Sequence, residues 1–131
     1  MNIKGIIIKS NGTLDILGFY TANIKLDKMP PFLKEGVYAA WAQIENATYA
    51  TVFAAEIKKE RLQIYLIDTD LKKNIGKQIK LNVIQQISQM EVCKTKKELK
   101  NKILKDINVS KKILNDHKKR SNFSLQNTKK M

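Results

Sequence analysis

Cysteine and histidine each occur once in the chain. Cys93 alone excludes an internal disulfide and a cysteine metal cluster. His117 alone, in a basic stretch, removes Ser-His-Asp and Cys-His catalysis and leaves a histidine zinc site without ligands. Arginine is nearly absent, since Arg61 and Arg120 are the only two among 25 basic residues. Specific readers of nucleic acid lean on arginine for bidentate base contacts, so no specific nucleic-acid partner is expected. Long apolar runs are missing too. Ile6-Ile7-Ile8 is too short for a signal-peptide core or a membrane span, so the expected location is the cytoplasm with no membrane partner.

What is present is a chain of 131 residues, 43% hydrophobic and 28% charged, which is enough for one domain with a real core. The net charge of +13 is unevenly spread. Residues 1–93 carry 12 Lys/Arg against 9 Asp/Glu, whereas residues 94–131 carry 13 against 3. The basic excess therefore belongs to the C-terminal part, and it is read as a solvated helix face plus a tail.

Residues 1–90 read as strands. Residues 3–9 form a β-branched run, and Asn11-Gly12 marks a turn. Further strands are expected at 20–26, 36–42, 49–55, 62–67 and 77–87, with a hairpin turn at Asn46-Ala47-Thr48. Tyr38, Trp41, Tyr49 and Phe53 are interleaved with alanines, as in packed core strands. Six short antiparallel strands in this length predict a mainly β fold, a closed or nearly closed barrel. The period then changes. Thr95-Lys96-Lys97-Glu98 has the form of a capping box. Leu99, Ile103, Ile107, Ile113 and Leu114 follow helical spacing, as one amphipathic helix or two broken near Asn108. The division expected is a folded unit over 1–115 and a basic, mobile tail over 116–131.

Thr21 and Asn23 are two apart, so an extended backbone points both side chains to one face. They are either ordinary surface polar groups or two hard oxygen ligands for one ion.

The order of the pieces carries a resemblance. Leu17-Gly18-Phe19-x-Thr21-Ala22-Asn23 is followed by Gly36-Val37-Tyr38-Ala39, by Asp70-Leu71 shortly before Gly76-Lys77, and by Glu98-Leu99-x-x-x-Ile103-x-x-Asp106. Over residues 5–114 this resembles the ATP-dependent riboflavin kinases, including the kinase module of bacterial bifunctional FAD synthetases. The resemblance implies a six-stranded antiparallel Greek-key barrel with a C-terminal α-helix. It implies transfer of the ATP γ-phosphate to the ribityl 5′-hydroxyl of riboflavin, giving FMN, by a monomer whose partners are small molecules. By resemblance, Mg²⁺ and the nucleotide phosphates fall to Thr21 and Asn23. The nucleotide also falls to the loop represented by Ser10, Asn11, Gly12 and Gly18.

The departures cluster at the chemistry. Tyr20 stands where the family has a proline, which removes a rigid φ. The phosphate loop Ser10-Asn11-Gly12-Thr13-Leu14-Asp15 holds one glycine where the family is glycine-rich. Phe53-Ala54-Ala55 replaces an Asn-x-Gly segment. Ser88, Cys93 and Ile75 stand for an arginine, a phenylalanine and a tyrosine. Gln63 and Tyr65 occupy the positions of the family's catalytic glutamate and a histidine. An amide can orient a hydroxyl but cannot take its proton, so a slow or inactive kinase is expected. Of the two carboxylates that could substitute, Glu60 falls by strand parity on the face opposite Gln63, and Glu56 is at the mouth of a shortened connection. The alternative is a flavin- or nucleotide-binding module without turnover. A third is a barrel that grips nucleic acid nonspecifically through its lysine-rich helix and tail.

Overall fold

Six strands close into a ring. The computed structural model describes the backbone of residues 1–10, 18–26 and 28–130, and side chains as far as residue 120. The strands are β1 (Asn2–Lys9), β2 (Ala22–Leu26), β3 (Gly36–Ile44), β4 (Ala47–Glu56), β5 (Arg61–Leu66) and β6 (Gln78–Ser88). They form an antiparallel closed barrel in the order β1-β2-β5-β4-β3-β6. β2 pairs with β5 and not with β3, which inserts the β3–β4 hairpin as a Greek key.

Alternate residues fill the lumen. Ile3 and Ile7 of β1, Ile24 of β2, Phe53 of β4, Leu62, Ile64 and Leu66 of β5, and Ile79 and Leu81 of β6 form one buried cluster. Each such side chain contributes roughly 1.5–3 kcal/mol when fully buried. Tyr38 stacks on Phe53 inside it, with ring centroids 5.1 Å apart. A six-stranded barrel is too narrow to leave an internal cavity once its inward side chains pack. A ligand must therefore sit on the outside. Gly5 lets β1 and β2 approach closely: a Cβ there would lie 2.6 Å from the Lys25 carbonyl and clash with Ile24.

β3 is buried on both faces, which strict alternation does not predict for a half-solvated sheet. The cause is the helix α1 (Lys96–Lys130), which lays Ile103, Ile107, Ile113 and Leu114 across the outer wall. They meet Val37, Ala39, Val52 and Ala54, small or β-branched residues that let the helix lie close. The expected capping box forms with a one-residue shift. Thr95 Oγ1 accepts from the Glu98 amide at 3.1 Å, and the Glu98 carboxylate accepts from the Lys94 amide at 2.9 Å.

Several expectations are corrected. Of the two forms expected for the helix, one continuous helix is the one found, with no break at Asn108. Asn108 is exposed, while Ile107, Ser110 and Leu114 beside it are buried, so docking outweighs a weak local propensity. Helical backbone also runs through 116–130, the stretch expected to lack regular structure. The β3–β4 turn is Glu45-Asn46, one residue earlier than expected, with Glu45 at φ 55. Trp41 lies on the outer wall beside α1, not in the lumen.

Candidate active site

Thr21, Asn23 and Gln63 come together on the outer wall. β2 and β5 pair antiparallel, with Asn23 directly opposite Gln63. Opposed residues project from the same face. Their neighbours Ala22, Ile24, Leu62 and Ile64 point inward, so period 2 sends all three polar side chains outward. The Gln63 amide donates from Nε2 to Thr21 Oγ1 at 3.1 Å. Thr21 is buried, although it sits at a strand end. Asn23 Oδ1 is buried and has no hydrogen-bond partner among the described residues. A buried oxygen left without a partner loses roughly 1–3 kcal/mol, and such an atom calls for an explanation.

A pocket of about 150 Å³ runs from this cluster beneath α1. Its walls are mainly apolar: Phe19, Val37, Val52, Ala54, Ile103 and Ile107. Tyr65 stands beside Gln63 and meets Phe19 edge to face, at 5.5 Å and 84°. Burial, and secondarily the Asp68 charge, push the Tyr65 phenol above its usual 10.0. Ala54 lies opposite Gln63 across β4 and β5, so the segment that replaces the Asn-x-Gly element forms pocket wall.

Tyr20 is held in place of the proline by the core on one side and by Lys72 on the other. Its ring packs against the lumen cluster, and Lys72 Nζ sits 5.2 Å from the ring centroid. Ser10 is buried just after β1, and Gly18 takes φ 89, a conformation that disfavours side chains. Asn11 and Gly12, with the rest of the expected phosphate loop over 11–17, lie outside the described residues.

Neither substitute base reaches the site. Glu56 is clasped by Arg61 through contacts of 2.7, 2.9 and 3.1 Å, with Lys59 at 3.5 Å. Glu60 sits in the turn before β5 at φ 49, and neither carboxylate lines the pocket.

A second polar group in the pocket wall centres on Lys102, a residue with no role assigned from sequence. Lys102 Nζ contacts Asp106 Oδ2 at 2.6 Å and Ser88 Oγ at 2.7 Å, and Ser88 Oγ also lies 3.0 Å from Asp106 Oδ1. Both charged side chains are nearly buried, at 12% and 10% exposure. Ser88 stands where the resemblance puts an arginine, and Lys102 supplies a cation there from the helix. Its i,i+4 spacing to Asp106 was the available signal, but only docking on Ser88 makes the pair part of the pocket.

Fold and site together define a barrel that presents its polar chemistry on the outer wall, under a helix, with a filled lumen. Comparison with known proteins gives the family. The family model for flavokinase, riboflavin kinase, matches residues 1–114, and the chain belongs to that family. It is 32% identical over 126 residues to the bifunctional riboflavin kinase/FMN adenylyltransferase of Buchnera aphidicola subsp. Acyrthosiphon pisum (strain APS), covering 89% of this chain and 40% of that protein. The chain thus spans about two fifths of the length of this curated relative. A riboflavin kinase structure from Trypanosoma brucei superposes with a TM-score of 0.65 at 23% identity, over 87% of this chain and 76% of that one. A structure titled macrolide-efflux protein, from Streptococcus pneumoniae, superposes with a TM-score of 0.73 at 17% identity, over 84% and 38%. The two structural likenesses speak for the fold.

Proposed function

We propose that this chain is a riboflavin kinase that transfers the γ-phosphate of ATP to the ribityl 5′-hydroxyl of riboflavin, giving FMN and ADP. One observation carries the proposal: Thr21, Asn23 and Gln63 share one outward face, and Thr21 and Gln63 line an apolar pocket. A planar ring suits the apolar walls, and the polar cluster suits the end where phosphate is transferred.

Thr21 Oγ1 and Asn23 Oδ1 fit a Mg²⁺ ion, since both are hard neutral oxygens and the second lacks a partner. The described residues contain no group of three His, Cys, Asp or Glu that could hold a metal. The two oxygens would hold the ion together with phosphate and water. When bound, the ion neutralises charge on the phosphates.

Gln63 donates to Thr21 through Nε2, which leaves Oε1 to accept from the ribityl hydroxyl and to aim it. The hydroxyl oxygen forms the new bond to the γ-phosphorus as the bond to the β,γ-bridging oxygen breaks and ADP departs. The hydroxyl proton passes to water or to phosphate oxygens, because an amide takes no proton at neutral pH. Positioning and electrostatics carry most of phosphoryl transfer, so the reaction proceeds slowly without a base. Small-molecule sites usually span about 300–1,000 Å³. A flavin ring therefore requires the 89–95 connection and the first turns of α1 to move off the wall. The catalytic unit is residues 1–115, acting as a cytoplasmic monomer on small molecules, with 116–131 as an appendage.

The test is incubation with riboflavin, ATP and Mg²⁺, with FMN separated by chromatography and flavin fluorescence titrated in parallel. FMN that accumulates with enzyme concentration supports the kinase. Flavin quenching without FMN instead supports the binding module, which the amide at Gln63 favours. Neither signal from folded protein sinks both.

A further inference from the structure

We infer that the outer wall formed by β1, β6 and the end of β3 is a sequence-tolerant binding face for single-stranded nucleic acid, separate from the kinase site on β2, β5 and β4. A groove of about 570 Å³ lies here, between that wall and the α1 residues His117 and Lys118. A second groove of about 550 Å³ continues it and shares Gln43 and Lys80.

The sheet register builds this face. Lys4 pairs with Lys80 and Lys80 with Gln43, which pairs in turn with Thr48, giving one row across four strands. Asn2 pairs with Asn82 and Asn82 with Trp41, giving a second row beside it. Strands lie about 4.8 Å apart, so each row is a rigid ladder of polar groups. No carboxylate lines the first groove among the described residues. Glu45 lines the second, and Lys77 engages it at 3.1 Å.

The chemistry fits a nucleic-acid strand. Lys4, Lys80 and Lys118 offer cations to phosphates. Asn2, Asn82 and Gln43 offer both donors and acceptors to base edges. Trp41 offers an aromatic surface, and its Nε1–H donates to His117 Nδ1 at 3.2 Å, which holds the indole at the groove. Basic grooves that hold aromatics bind single strands by stacking and charge, with little sequence preference. An acidic protein partner fits less well, because interface anchors are typically Trp, Tyr and Arg in desolvated pockets, and this face is open and polar. Lysine without arginine also matches tolerance of sequence. The expectation from sequence combined the barrel with the lysine-rich helix and tail and assigned Trp41 to the core; Trp41 instead lies on the outer wall, where it lines this groove.

Trp41 is the single tryptophan, so its emission reports on this groove directly. The test titrates the full chain with fluorescein-labelled dT12, reading anisotropy, and with unlabelled dT12, reading Trp41 emission. The expected result is saturable binding with quenching, and a log–log salt slope of about −2 for three phosphate contacts. Lys4→Glu with Lys80→Glu is expected to weaken binding by roughly tenfold or more and to flatten the slope by about 1.4. Both lysines are exposed, and circular dichroism checks the fold. Lys97→Glu with Lys100→Glu reverses two exposed lysines away from the groove and is expected to change affinity by less than about threefold. The inference is overturned if dT12 does not bind, or if saturation leaves Trp41 emission unchanged. It is equally overturned if inorganic polyphosphate of equal charge binds as tightly, or if the Lys97/Lys100 pair matters as much as the groove pair.

Discussion

Replacing Gln63 by glutamate tests the chemistry of the outer-wall cluster most directly. The substitution keeps the side-chain length and changes an amide into a carboxylate beside Thr21 and opposite Asn23. Thr21 can respond by rotating its hydroxyl to donate where it now accepts. Asn23, opposite on β2, leaves its Oδ1 unpartnered unless its amide turns to offer Nδ2 to the new carboxylate. The free protein is expected to lose about 1 kcal/mol of stability, the lower end for an unsatisfied buried group. The catalytic effect runs the other way. A placed base contributes roughly 10²–10⁴-fold, which is about 2.7–5.4 kcal/mol of barrier at 1.36 kcal/mol per tenfold. The assay is FMN formation against pH, under saturating ATP, Mg²⁺ and riboflavin. Q63E is expected to raise the rate by roughly 10²-fold or more and to add an acidic limb that the unmodified chain lacks. An increase below about threefold, or an unmodified chain whose profile already shows that limb, would refute the assignment of Gln63 to the position where a base acts.

Three further outcomes follow from the geometry. Asn23→Ala is expected to leave the melting temperature unchanged or raise it, because it removes an unpartnered buried oxygen, while abolishing the thermal shift produced by Mg²⁺ with ADP; differential scanning fluorimetry reads both. Lys102→Met leaves Asp106 nearly buried without its cation, and urea denaturation is expected to show a loss of about 3 kcal/mol, the low end for breaking a buried pair. Tyr38 and Tyr65 both have phenols raised above 10.0, by burial first. Their folded pKa values exceed the unfolded ones, so their contribution is intact below pH 10 and is lost as pH rises through the folded values. Absorbance titration is expected to show two tyrosines ionising late, and stability at pH 11 is expected to fall below that at pH 9.

Strands such as β5 were readable because they bury one face, and alternation at Leu62, Ile64 and Leu66 is a local signal. β3 was readable by composition more than by alternation, since α1 buries its second face. The helix start was readable because capping chemistry lies within four residues, from Thr95 to Glu98. Its course past Asn108 was not, because the burial of Ile107 and Leu114 against the barrel comes from residues far away in the chain. The candidate site divides in the same way. Thr21, Asn23 and Gln63 were each named from sequence, yet the 3.1 Å contact between Gln63 and Thr21 spans 42 positions. Glu56 is a candidate base by its place in the sequence, and in the fold Arg61 clasps it.

The sequence by itself determined a barrel of short strands, a capped amphipathic helix, a C-terminal excess of lysine and a set of polar residues in a family order. These depend on period, propensity and composition, which a chain carries without its fold. Only the tertiary structure decided which of these residues share a face. Closing the ring set β2 against β5 and brought Thr21, Asn23 and Gln63 together. Docking of α1 turned Lys102 and Asp106 into pocket wall, set them on Ser88, and placed His117 beside Trp41. The physical reason is that register and docking are collective. They are set by the sum of buried contacts around the barrel, and no local stretch contains that sum.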